Sequence, residues 1–285
     1  MAWLTKLLKN VLKFLLILSL FTGVPVYAKK RTVAPVQRNA ILATNYVVQD
    51  IDTGEVLAEQ GSNEVRSIAS ITKLMTAMVV LDARQNLNEF IKVTPIKGIS
   101  SRLRNGSISR GDMMVLALMS SDNLAAKLLA VNYPGGEEAA IKAMNAKAQQ
   151  LNMSSTHYVD PTGLLNENVS TGQDLVKLLE AAEEYQYIRY ASTSTKMSVL
   201  VQGKKKTNYL DFHTTNHLVL NDPRIVLSKT GWIRMSGGCL VMAIHDGTRR
   251  LAIILLNSRN THTRFRDAEL LYGLQNGKNL RPTTR

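Results

Sequence analysis

The stretch Ser67-Ile68-Ala69-Ser70-Ile71-Thr72-Lys73-Leu74-Met75-Thr76-Ala77-Met78-Val79-Val80-Leu81-Asp82-Ala83 decides how this chain is read. From residue 71 to 83 apolar side chains fall on nearly every side of a helix, the pattern of a helix enclosed in the middle of a domain. Upstream, Asn45-Tyr46-Val47-Val48-Gln49-Asp50-Ile51, the turn Asp52-Thr53-Gly54 and Glu55-Val56-Leu57-Ala58 predict a β-hairpin. Downstream, residues 113–119 (opened by Arg110-Gly111-Asp112), 123–131, 137–151 and 171–184 predict helices. The period then shortens. Residues 216–219, 225–228, 239–244 and 251–256 predict short strands, and 264–275 an amphipathic helix stopped near Gly277. Strands at both ends with helices between them predict an α/β (α+β) fold. Its antiparallel sheet is completed by the two chain ends, a helical lobe is inserted, and the cleft between them is the expected place for chemistry.

The 285 residues are 45% hydrophobic, ordinary for a globular enzyme. Lys6, Lys9 and Lys13 precede the apolar run 14–21, and Val26-Tyr27-Ala28 supplies a small residue before Lys29, which predicts a secretory signal peptide over residues 1–28. An uncleaved anchor over 11–27 is the alternative, disfavoured because Gly23 and Pro25 break the run. Membrane association is therefore expected at most through the N-terminus. A basic leader over 29–40, one domain over 41–276 and a polar tail over 277–285 complete the expected organisation.

The formal charge is +13, and because residues 1–28 hold three lysines and no acid the remainder keeps +10. Such a field attracts anionic polymers. Export argues against nucleic acid and fits an acidic wall polymer outside the cytoplasm. Lys204-Lys205-Lys206 reads as a solvated loop, or more weakly as a guide for anionic glycan. Cys239 is the only cysteine and lies in the apolar run Gly238-Cys239-Leu240-Val241-Met242-Ala243-Ile244, so it reads as a buried, inert thiol and not as a nucleophile. His213 and His217 lack a His-Glu-x-x-His arrangement, and His157, His245 and His262 are scattered, so no metal or other cofactor is expected.

Ser70 and Lys73 stand one turn apart on one face at the start of the enclosed helix. A serine hydroxyl needs a base beside it, and a desolvated lysine can serve as the neutral amine. By itself the spacing carries little, since a capping serine and a solvated lysine share it. Two further motifs change its weight. Ser121-Asp122-Asn123 follows the apolar run 116–119, and Lys229-Thr230-Gly231 follows 225–228. Ser-x-x-Lys, Ser-x-Asn and Lys-Thr-Gly in that order form the motif set of class A β-lactamases and penicillin-binding proteins. The three motifs are expected at a helix start, in a turn of the helical lobe and at the end of a strand.

The segment 68–77 resembles the active-site segment of the low-molecular-mass penicillin-binding proteins, the D-alanyl-D-alanine carboxypeptidases and endopeptidases. The segments 117–123, 144–148, Asp160-Pro161-Thr162-Gly163-Leu164, 168–171 and 215–219 are similar to the same family. The likeness runs from about residue 46 to 265, and within the family it favours the endopeptidase type. The resemblance implies a β-lactamase/transpeptidase-like fold, an exported periplasmic enzyme, cross-linked peptidoglycan peptides as substrate, and β-lactam antibiotics as covalent inhibitors. It implies that Ser70 forms the acyl-enzyme, Lys73 takes its proton and Ser121 passes a proton to the leaving amine. Asn123 would hold the substrate amide. Lys229 would orient Ser121 and attract the substrate carboxylate, which Thr230 would bind, and Gly231 would let the substrate lie against the strand. The oxyanion hole would be the N–H groups of Ser70 and Trp232. Carboxypeptidase action on uncross-linked stems stays open beside endopeptidase action. A serine β-lactamase is disfavoured, because 160–167 resembles the peptidases' Pro-Thr-Gly-Leu element and not a Glu-x-x-Leu-Asn loop. A non-catalytic penicillin sensor is disfavoured because all three motifs are intact.

Overall fold

The computed structural model describes residues 41–104, 106–203 and 207–275. The expected signal peptide and leader, Lys204-Lys205-Lys206 and the tail from residue 276 lie outside these residues. Strands β1 (Asn45–Asp50), β2 (Val56–Gln60) and β3 (Arg66–Ser67) lead to helix α1 (Thr72–Asp82). Strands β4 (Phe90–Val93) and β5 (Gly106–Ser109) precede helices α2 (Arg110–Met119), α3 (Asn123–Val131) and α4 (Gly136–Gln150). Strand β6 (Val169–Ser170) and helices α5 (Gly172–Glu183) and α6 (Gln186–Thr193) follow. Strands β7 (Lys196–Gln202), β8 (Thr207–His213), β9 (Ile225–Ile233), β10 (Gly237–His245) and β11 (Arg250–Ser258) and helix α7 (Thr263–Gln275) end the fold.

The main sheet has the order β2-β1-β11-β10-β9 and is antiparallel throughout. The register Asn45↔Leu256 to Asp50↔Leu251 joins the first strand to the last, so the two ends of the chain complete the sheet as expected. Strand side chains alternate between faces. Val47, Cys239, Val241, Ala243, Ala252 and Ile254 therefore enter the core shared with α1 to α6. Their neighbours Tyr46, Val48, Leu240, Met242, Ile253 and Leu255 pack with Phe265, Ala268 and Leu271 of α7. Helices cover both faces, and that is why β10 and β11 read as unbroken apolar runs. Residues 72–80 of α1 are all buried, including Lys73.

Four features differ from the sequence reading. Residues 216–219 are not a strand: Asn216 caps a 3-10 turn over His217–Leu220, its side chain accepting from the Leu218 N–H, and that local bond outcompetes the apolar run's strand preference. The Lys-Thr-Gly motif lies inside β9, which continues to Ile233, and not at a strand end. A second, four-stranded sheet, β4-β5-β7-β8, lies apart from the main one, and α6 is an additional short helix. Strands β7 and β8 expose over half of their side chains, so the alternating signal is confined to Met197, Val199 and Val201 on one and Leu210 and Phe212 on the other.

Candidate active site

The chain enters α1 through a 3-10 turn, Ala69–Ile71, with Ala69 at φ +47°, a left-handed conformation costly for any residue with a Cβ. Two glycines pack closely against this turn. A Cβ on Gly163 would stand 1.9 Å from the Ala69 carbonyl oxygen, and one on Gly231 would stand 3.1 Å from the Ser70 nitrogen. At Gly163 only a residue without a side chain can approach so closely, while at Gly231 the fit is tight. The loop carrying Gly163 is self-locked. The Asp160 carboxylate accepts from the N–H groups of Thr162, Gly163 and Leu165 and from the Thr162 hydroxyl. Asn168 donates to Thr72 Oγ1, and Thr76 Oγ1 donates to the Pro161 carbonyl, which fastens the loop to α1.

Lys73 Nζ lies 2.6 Å from Ser70 Oγ, 2.7 Å from Asn123 Oδ1 and 2.9 Å from the Thr162 carbonyl. Two of these partners are pure acceptors, whereas the serine hydroxyl can also donate. A neutral lysine keeps two N–H bonds for Asn123 and Thr162 and turns its lone pair to the Ser70 proton. Burial pulls the Lys73 ammonium down to about 7, against the opposing fields of Asp160 and Asp122. The arrangement thus supplies both an available base and its aim.

Ser121 is the turn residue between α2 and α3, at φ +59°. The Asp122 side chain caps α3 by accepting from the Ala125 N–H and also accepts from Ser101 Oγ. From β9, Lys229 Nζ donates to Ser121 Oγ at 2.8 Å and to the Thr230 carbonyl at 2.7 Å. Burial drives the Lys229 ammonium well below its usual range, reinforced by the charges of Lys73 and Arg264. The Thr230 hydroxyl shares a 2.6 Å hydrogen bond with that of Thr215, whose N–H donates to the Met119 carbonyl at the end of α2. Trp232, next on the strand, is 54% exposed. The fold thus gathers Ser70, Lys73 and Asn123 in one hydrogen-bonded group and Ser121 and Lys229 in a second, and Gly231 is packed against the turn of the first.

The family described as D-alanyl-D-alanine carboxypeptidase, peptidase S11, matches residues 30–260. The chain belongs to this family. It is 45% identical over 251 residues to the D-alanyl-D-alanine endopeptidase of Escherichia coli (strain K12), covering 86% of this chain and 80% of that one. The D-alanyl-D-alanine endopeptidase of Pseudomonas aeruginosa is 42% identical over 271 residues, covering 93% of this chain and 86% of the relative. Among solved structures, penicillin-binding protein D2 from Listeria monocytogenes in the ampicillin-bound form superposes with a TM-score of 0.74 at 26% identity, covering 82% of this chain and 97% of that chain. The Streptomyces K15 DD-transpeptidase shares the fold, with a TM-score of 0.78 at 23% identity and coverage of 83% and 98%.

Three groups that the structure brings to this cluster carry no signature of their own in the sequence. The Thr162 carbonyl is a backbone group with no side-chain signature, although its segment was singled out. Thr215 sits in another recognised segment, and only the fold carries it to Thr230. Arg264 reads as one cation on an amphipathic helix, yet its guanidinium reaches the Gly231 carbonyl at 2.6 Å. The histidines lie elsewhere: His217 packs against Phe265 with ring centroids 4.2 Å apart, and His245 pairs with Glu183.

Proposed function

We propose that the protein is a serine D-alanyl-D-alanine endopeptidase that cleaves peptide cross-links of peptidoglycan through an ester on Ser70. One observation carries the reading: a buried lysine with two acceptor partners and a serine hydroxyl at 2.6 Å. Ser70 Oγ attacks the D-alanyl carbonyl as its proton moves to Lys73 Nζ. The oxyanion forms against the N–H groups of Ser70 and Trp232, a placement favoured by the close packing of Gly231 on the Ser70 turn. Collapse breaks the peptide bond, and the leaving amine takes a proton from Ser121, which Lys229 holds in place and Lys73 resupplies. Asn123 fixes Lys73 and is positioned to meet the substrate amide. Lys229 and Thr230 receive the substrate carboxylate. Water then attacks the ester carbonyl, its proton passing through Lys73 Nζ to Ser70 Oγ as the acyl–oxygen bond breaks, which frees the acid and restores the serine.

The same chemistry makes β-lactams covalent inhibitors. A long-lived β-lactam ester is expected, because the Asp160 carboxylate is taken up by its own loop donors and is not free to serve as a deacylating base. The expected address is the periplasm. Among the described residues no helix is long and apolar enough to cross a membrane.

The assignment is tested by incubating the purified protein with cross-linked peptidoglycan fragments, with and without prior penicillin treatment, and following products by mass. Conversion of dimers to monomers, blocked by penicillin, is the expected result. Intact dimers with release of terminal D-alanine would make the enzyme a carboxypeptidase, and no change at all would refute peptidase action. A pH profile adds a second prediction. Protonated Lys73 has no lone pair, so acylation by penicillin is expected to rise about tenfold per pH unit below pH 7 and to level off above it. A flat rate from pH 5 to 8 would contradict Lys73 as the base.

A further inference from the structure

Arg264 is in an expensive place. It is 6% exposed, and it stands in the first turn of α7, where the helix macrodipole disfavours a cation. Among the described residues it has no carboxylate partner, and its Nε is buried without a hydrogen bond. Burial lowers its affinity for its proton. Among the described residues this buried charge is met by two backbone carbonyls and by the Phe265 ring, whose centroid lies 4.8 Å from the Arg264 Cζ, and by no counter-ion, so what it touches matters. One Nη1 donates to the Gly231 carbonyl at 2.6 Å and, more weakly, to the Cys239 carbonyl at 3.3 Å. Gly231 and Cys239 are register partners on β9 and β10, so the guanidinium bridges the two strands at the level of the nucleophile.

The Gly231 carbonyl belongs to the same peptide unit as the Trp232 N–H. That unit is planar and trans, so its C=O and N–H point in opposite directions. A cation bound at the oxygen draws electron density toward it, leaves the N–H more positive and fixes the plane of the unit. Charge-assisted bonds of this kind are roughly twice as strong as neutral ones.

We propose that Arg264 is a positioning residue for the oxyanion hole, holding and polarising the Gly231–Trp232 peptide so that the Trp232 N–H is a fixed, strengthened donor to the tetrahedral oxyanion. This rests on the reading in which the Ser70 and Trp232 N–H groups receive that oxyanion. It accounts for a buried arginine without a carboxylate: a counter-ion beside it would cancel the polarisation. It also predicts an effect on the reacting carbonyl with little effect on ground-state binding.

The test compares wild type, Arg264→Gln and Arg264→Lys. Two quantities are measured, the rate of acylation by a penicillin and the infrared band of the resulting ester carbonyl, marked with carbon-13. The Gln variant is expected to acylate on the order of tenfold more slowly, a smaller loss than the 10²–10³-fold of deleting an oxyanion donor outright. Its ester band should move to higher wavenumber, because the carbonyl is less polarised, while the concentration of penicillin giving half the maximal rate stays near the wild-type value. Lys, which keeps the charge, should recover part of both effects and serves as the readout if Gln folds poorly. An ester band unmoved in both variants would overturn the proposal even if acylation slowed, since a loosened fold slows the rate without altering the trapped carbonyl. Wild type that forms no ester at all would refute the Ser70 reading itself, and this inference with it.

Discussion

Lys73→Met is expected to slow acylation by penicillin on the order of 10³-fold or more, while the protein still folds. Methionine fills similar space without a base, so the Ser70 proton has no acceptor and the hydroxyl stays a poor nucleophile. The structural consequences oppose one another. Asn123 Oδ1, the Thr162 carbonyl and Ser70 Oγ each lose a partner, costing about 1–3 kcal/mol for a buried group left unmet. Removing a fully buried amine relieves a desolvation penalty of comparable size. The melting temperature should therefore move by only a few degrees. Stopped-flow acylation beside a thermal melt checks both halves, and acylation within tenfold of wild type would show that Lys73 is not the base.

Gly163→Ala is expected to damage fold and activity together. The position has φ +77°, and a Cβ there would stand 1.9 Å from the Ala69 carbonyl oxygen and 2.9 Å from the Ser70 nitrogen, both backbone atoms that no rotamer change can move. The left-handed conformation costs roughly 1–2 kcal/mol and the overpacking about 1–3 more, a fall in melting temperature of roughly 5–15 °C. Because the displaced atoms belong to the nucleophile's turn, the folded remainder should acylate far more slowly than wild type. Gly231 provides the contrast. There a Cβ meets its neighbours at 3.0–3.1 Å, so Gly231→Ala should cost less stability and act mainly on the rate. A Gly163→Ala protein with wild-type melting and acylation would mean that the loop does not press on Ser70.

What the sequence disclosed depended on whether a feature was carried by side chains in a local pattern. The enclosed helix announces itself because residues 71–83 are apolar all round, and β10 and β11 because covering both faces of a sheet removes alternation. Serines and lysines at fixed spacing point to the groups proposed here as reactive. Tertiary geometry left weaker traces. The small second sheet is built from short strands whose inward residues, Ile91, Val93, Ile108, Val199, Val201 and Phe212, are scattered among polar ones. The run 216–219 reads as a strand, but in the structure Asn216 caps a 3-10 turn over His217–Leu220. Gly231 was expected to clear a path for substrate, and in the structure its absent side chain also makes room for the Ser70 turn. The Thr162 carbonyl and Arg264 act on or through the backbone, which no residue motif records.

The central claim is that Ser70 is the nucleophile, and the most direct measurement is to locate a penicillin adduct. Trypsin cuts after Arg66 and Lys73, releasing Ser67-Ile68-Ala69-Ser70-Ile71-Thr72-Lys73 as a single peptide. After brief exposure to penicillin and digestion under acid-stable conditions, that peptide is predicted to carry one penicilloyl group, fragmentation is predicted to place it on Ser70, and Ser70→Ala protein is predicted to carry none. An adduct on Ser121 or Ser67, or labelling that survives Ser70→Ala, would contradict the account.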